Sequence, residues 1–263
     1  MRRVELETLL VDRDDGVVTI TLNRRERKNA VNGQMWDELL ATFREISECA
    51  TDRVVVLTGA GGDFCSGADL ATGGQRGQPP HALSMMRHVG DVCLALYRLP
   101  QPTIAKVRGV AVGAGMNMAL LCDLLVADES ARFSEIFARR GLSIDFGGSW
   151  VLPRRLGMHR AKELALLADI IGARHAETLG LVNRVVAAEE LDDFVADWAR
   201  RLAAGPPIAL AQTKRLLNNS VGITLEQALD DESTAQSVNL ATADTREAMQ
   251  AFVDKRAPTF VGR

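Results

Sequence analysis

The sequence has little of what marks metal, redox or polyanion-binding proteins. Its four cysteines, Cys49, Cys65, Cys93 and Cys122, lack the close pair spacing of zinc and redox motifs and sit in apolar or helical-looking contexts. They are expected to be reduced core thiols, with no metal bound. There is no basic surplus: the formal net charge is −3, which argues against nucleic acid and anionic membranes as partners. No apolar run reaches the length of a membrane span, and Met1-Arg2-Arg3-Val4-Glu5 carries no apolar leader segment, so a cytoplasmic protein is expected. Thr58-Gly59-Ala60-Gly61-Gly62 lacks the spacing and the following helix of a dinucleotide fingerprint, and no tightly bound cofactor is expected.

What is present suits one large α/β core with an appendage: 263 residues, 47% apolar and 25% charged. Val4 to Val11 and Val17 to Leu22 alternate about Asp14-Asp15-Gly16 and read as a hairpin. Asn32 is placed to cap a helix in which Met35, Trp36, Leu39, Leu40, Phe43 and Ile46 recur at helical spacing, and Arg53 to Thr58 reads as a buried strand. Gly73 to Pro80 reads as a mobile loop before a helix over 81–99. Strands are expected over 103–107, 109–112 and 123–127, with a helix over 115–121 between the last two. Beyond Gly147 helices dominate, over 158–168, 175–180, 190–204, 206–218, 225–240 and 244–255, with a strand over 182–187. The expected division is a core over 1–200 and a helical region over 201–263.

Two glycine-rich turns, Phe64 to Leu70 and Gly113 to Asn117, each follow an apolar strand-like run. Small residues let backbone N–H groups approach a carbonyl on which negative charge develops. The amides of Ala68 and Ala114 are therefore candidate halves of an oxyanion hole.

With these turns goes an ordered set of marks: Leu22-Asn23-Arg24 with Asn29-Ala30, Cys65 to Leu70, Gly109 to Gly115 leading to Cys122-Asp123, Gly141-Leu142, Gly147-Gly148, Leu152-Pro153, Gly180-Leu181-Val182 and Phe252 to Arg256. Over nearly its whole length the chain resembles the crotonase superfamily, also called the enoyl-CoA hydratase/isomerase family. The resemblance implies a spiral of ββα units and a helical C-terminal region that builds homotrimers or homohexamers. It also implies an acyl-CoA ligand, with coenzyme A present as part of the substrate thioester. By the same likeness, coenzyme A contacts carry over to Arg27, Lys28 and Ala30, to the backbone of Ser66, Asp69 and Leu70, and to Phe252 and Lys255 of a neighbouring subunit. Arginine and lysine suit phosphate recognition, although a charge run such as Arg24 to Lys28 can equally be a solvated turn.

Hydratases of this family use two glutamates, and neither is present. Asn117 falls at the first position and Phe137 at the second; neither side chain can exchange a proton near neutral pH. Glu135 stands nearby, but its offset along a helix would turn it to another face. The residue left for acid–base work is Asp145, between Ile144 and Phe146, at a place where isomerase-like relatives carry an aspartate. An apolar slot should raise its pKa, and one carboxylate suffices to shift a double bond. The competing role for Asp145 is to cap the helix that begins near Gly147. His81 and His88 are weaker candidates for assisting it, and Met85, Met86, Met116 and Met118 would shape an acyl pocket or fill core. The sequence thus favours an isomerase acting through an enolate. The alternatives are an enoyl-CoA hydratase of fatty-acid degradation and a silent acyl-CoA binder.

Overall fold

Val54-Val55-Val56-Leu57 is too apolar on both faces for a strand with a wet side, and it forms the centre of the larger sheet. The computed structural model describes residues 2–70 and 81–263; the expected loop over 73–80 lies outside the described residues. In chain order the sheet elements and first helices are β1 (Arg2–Glu5), β2 (Leu9–Asp14), β3 (Val17–Leu22), α1 (Gly33–Glu48), β4 (Val54–Gly59), α2 (Ala82–Tyr97), β5 (Thr103–Val107), β6 (Val110–Val112), α3 (Ala114–Leu121), β7 (Leu124–Asp128) and β8 (Arg132–Ser134). Then follow α4 (Gly148–Leu156), α5 (Met158–Leu167), β9 (Ile171–Gly172), α6 (Ala173–Thr178), β10 (Arg184–Val186), α7 (Leu191–Ala203), α8 (Pro207–Asn219), α9 (Leu225–Ala241) and α10 (Ala243–Asp254).

The larger sheet runs β1-β2-β3-β4-β5-β7-β10, antiparallel over its first three strands and parallel from β3 onward. A smaller sheet, β6-β8-β9, stands apart from it. The expected single strand over 4–11 is instead two, and the break has a cause. Glu38 of α1 is buried, and its carboxylate accepts from the N–H groups of Glu7 (3.1 Å) and Thr8 (3.0 Å) and from the Thr8 hydroxyl (2.6 Å). A buried charge has to be hydrogen-bonded, and the turn between β1 and β2 supplies the donors.

Asn32 caps α1 by accepting from Met35 N–H at 2.9 Å, and the expected apolar face of that helix is buried. Every residue of α3 is buried, which fits a helix with no polar face. It lies in the main core, packed on β5 and β7 of the sheet, with α2 against it and α1 against α2. On the opposite sheet face, Leu191, Val195 and Ala199 of α7 pack on Val54, Val56, Ile104 and Val126. The C-terminal helices are tied back by Lys214, whose ammonium lies 2.7 Å from Asp123 and donates to the Gln101 carbonyl at 3.0 Å. Among the described residues no helix is long and apolar enough to cross a membrane.

Candidate active site

The segment after β4 and the start of α3 are clamped side by side. Cys65 donates its N–H to Val110 O (2.8 Å) and its carbonyl accepts from Val112 N–H (2.9 Å), a parallel bridge to Ala111. Gly113 N–H donates to Ser134 O at 2.8 Å, fixing the entry to α3. Gly67 has a φ of +96°, and a Cβ there would lie 2.9 Å from Val112 O and 3.8 Å from the Ala114 nitrogen. Only glycine permits that backbone conformation and that approach. Flanking amides are engaged: Ser66 N–H donates to Lys28 O (3.0 Å) and Asp69 N–H to Val31 O (2.9 Å). Neither Ala68 nor Ala114 donates its N–H to another described residue. Ala114 is the first residue of α3, where the helix leaves its N–H groups without internal acceptors and its dipole favours negative charge.

The strip before α1 leans on the same turn. Ser66 Oγ donates to Arg27 O (3.2 Å), and Arg24 pairs with Asp69 at 2.9 Å with both side chains largely buried. Asn29 is fully buried in the left-handed region, and its amide donates to the carbonyls of Ala60 (2.9 Å) and Asp63 (2.7 Å). That leaves Arg27 and Lys28 exposed on the rim, Ala30 buried, and Leu70 exposed. Phe252 and Lys255 stand at the end of α10, both exposed.

Asp145 does not cap α4 with its side chain; Gly147 occupies the cap position. Its carbonyl accepts from Gly148 N–H (3.0 Å) and from Asn117 Nδ2 (2.9 Å). The next residue, Phe146, is buried with φ of +46° and stacks on Trp36 of α1, centroids 5.3 Å apart. A bulky residue in the left-handed region persists only where packing over-determines it. The Asp145 carboxyl is half-buried, and burial raises its pKa to about 6. Cys93 of α2 feels it: burial, then the Asp145 charge, push that thiol up to about 11. Phe146→Ala should cost about 3–5 kcal/mol in urea unfolding, the usual loss for a buried phenylalanine.

Asn117 and Phe137 occupy the interior as expected of uncharged side chains, the Phe137 ring 3.6 Å from where a Cβ on Gly113 would lie. Glu135 departs from expectation. The sequence reading turns it away as if it lay along an α-helix, but 136–140 is a 3₁₀ turn with Glu135 preceding it. Glu135 is 1% exposed, and its Oε2 accepts from Asn117 Nδ2 at 3.3 Å. Burial, opposed by the Asn117 donor and reinforced by the Asp145 charge, raises its pKa to about 8. Asp145 is therefore not the only carboxyl at the site. The signal available in the sequence was Asn117 itself, the one polar residue in an apolar helix, since a buried amide has to find partners.

The histidines lie elsewhere. His81 accepts from Leu83 N–H at the start of α2 (3.3 Å), and His88 Nε2 lies 2.8 Å from Asp37 of α1. A cleft between the end of α2 and α8 is lined by Tyr97, Arg98, Lys214 and Arg215 among others, with no carboxylate or imidazole in its lining. It offers no acid–base pair.

Strands and helices in this order around a buried α3 make the crotonase fold. The chain belongs to the enoyl-CoA hydratase/isomerase family, whose model matches residues 12–263. It is 38% identical to 1,2-epoxyphenylacetyl-CoA isomerase of Escherichia coli K12, over 98% of this chain and 100% of that protein. It is also similar to two solved enoyl-CoA hydratase structures. That from Mycobacterium smegmatis matches with a TM-score of 0.90 and 36% identity over 97% of this chain and 99% of that one. That from Bacillus anthracis matches with a TM-score of 0.91 and 34% identity over 98% and 100%.

Proposed function

We propose that the protein isomerises an enoyl-CoA thioester, with Asp145 as the proton carrier. The observation that carries this reading is the adjacency of two turns whose Ala68 and Ala114 N–H groups are unengaged among the described residues, in a protein whose two hydratase positions hold Asn117 and Phe137. The thioester oxygen would lie between those amides. Asp145 takes the proton from C2 of a 3-enoyl thioester, the negative charge moves onto the oxygen, and the same carboxyl returns the proton at C4 while the double bond moves to C2. No water enters the balance. A pKa of about 6 leaves Asp145 ionised at pH 7 yet more basic than an ordinary aspartate. One relative is named as an isomerase of an acyl-CoA, 1,2-epoxyphenylacetyl-CoA, which supports a coenzyme A thioester as the substrate class.

Arg27 and Lys28 would meet the phosphates of coenzyme A, with Ala30 and the backbone of Ser66, Asp69 and Leu70 along its pantetheine arm. Phe252 and Lys255 of a neighbouring copy would reach its adenine end in a homotrimer or homohexamer, for which the exposed Leu225, Leu229, Val238 and Leu240 of α9 supply apolar surface. Assaying 3-hexenoyl-CoA for bond migration and crotonyl-CoA for water uptake tests the reading. Faster migration is expected. Faster hydration would replace the isomerase with a hydratase, and binding without exchange of α-protons in deuterated water would make the protein a silent binder.

A further inference from the structure

Three acceptor atoms in one buried cluster have no hydrogen-bond partner among the described residues: Asn117 Oδ1, Glu135 Oε1 and Asp145 Oδ1. Two of the residues are almost wholly out of water, Asn117 at 0% and Glu135 at 1% exposure. Asn117 links the other two with a single nitrogen. One hydrogen of Nδ2 goes to Glu135 Oε2 (3.3 Å) and the other to the Asp145 carbonyl (2.9 Å). The Glu135 carboxyl thus decides which way the amide faces, and the amide holds the Asp145 segment.

We propose that Glu135 is a positioning residue for Asp145: an uncharged buried acid that fixes the Asn117 amide and shuts the site down when it loses its proton. This rests on the reading of Asp145 as the proton carrier. Loss of the Glu135 proton would put a second negative charge beside Asp145 in a poorly solvated place. Asp145 would then hold a proton it must give back, and the enolate charge would be opposed.

The groups facing the pair make this assignment specific. From α3 comes Asn117, uncharged; from α2, Cys93, whose raised pKa keeps it a neutral thiol. The buried residues of α5, which packs on the 3₁₀ turn, are Ala161 and Leu164, both apolar. Arg139 of that turn pairs outward with Asp169 at 2.6 Å. The Asp145 charge is the one that acts on Glu135 among the groups found to shift it.

The test uses the intact protein with 3-hexenoyl-CoA as probe, together with infrared titration of the free protein. Wild-type kcat/KM should rise through about pH 6 and fall through about pH 8. From pH 7 to pH 9 the wild type should lose roughly tenfold. Glu135→Gln keeps the acceptor for Asn117 but cannot ionise, so its rate at pH 7 should stay within a few-fold and its falling limb should vanish. In the infrared, a protonated-carboxyl band present at pH 7 should titrate near 8, be absent in Glu135→Gln, and titrate lower in Asp145→Asn, where the neighbouring charge is gone. An unchanged falling limb in Glu135→Gln, or a wild type with no such band at pH 7, overturns the proposal. Wild-type turnover by Asp145→Asn would instead sink the reading of Asp145, and the infrared titration would still decide the state of Glu135.

Discussion

Asp145→Asn should lower turnover of a 3-enoyl-CoA by roughly 10²–10⁴, the range for losing a general base, with little change in thioester affinity. Asparagine keeps the backbone carbonyl that Asn117 and Gly148 hold, so the segment should stay in place. The fall in rate then belongs to the lost proton carrier. Stability separates this from unfolding. The folded protein binds the Asp145 proton more tightly than the unfolded chain, at about 6 against 3.8, so ionisation there weakens the fold as pH rises through that window. At pH 7 the variant should be more stable than wild type by on the order of 1 kcal/mol, discounted for partial exposure, and below about pH 3.8 the two should converge. A variant with wild-type kcat, or an inactive one that melts early, would remove Asp145 from the chemistry.

Gly115→Ala should have the next largest effect. Gly115 lies in the first turn of α3, and a Cβ there would press on the carbonyl oxygen of Cys65 and sit 2.8 Å from its Sγ. Cys65 cannot yield without breaking its bridge to Ala111, so α3 would have to move away from the turn that carries Ala68. Separating two donors meant for one oxygen should cost roughly 10²–10³ in kcat, the scale seen for losing a single such donor. Overpacking should also cost about 1–3 kcal/mol of stability. Gly90→Ala is the control: it lies on α2 with no described residue within 4 Å of a Cβ, and should be neutral or stabilising by about 0.5–1 kcal/mol. Equal behaviour of the two variants would separate the Gly115 contact from catalysis.

Much of the fold was legible because its signals are local. Asn32 and the spacing from Met35 to Ile46 define α1 without reference to anything distant, and the run Val54 to Leu57 declares a strand buried on both faces. The two glycine turns were legible for the same reason: their composition serves a backbone geometry that each turn makes for itself. The missed elements depend on partners far away. β8 and β9 are three and two residues long, and exist through pairing, β8 with β6 and β9 with β8. The start of α4 near Gly147 was legible, whereas its run through the internal Pro153 to Leu156 was not. Glu38 splitting the first strand, Phe146 stacking on Trp36, and Glu135 meeting Asn117 are contacts between segments, and no periodicity in either segment announces them.

Helix α3 carries no ionisable side chain, and every one of its residues is buried. Its pull on a nascent oxyanion would come from peptide dipoles, which dissolved ions reach poorly, whereas exposed charges are screened over about 8 Å at physiological ionic strength. Added sodium chloride should therefore raise KM, by weakening the hold of Arg27 and Lys28 on a polyanionic nucleotide, and leave kcat level. Osmotic stress on a cell would then change how much substrate the protein captures, and not how fast it converts what it holds.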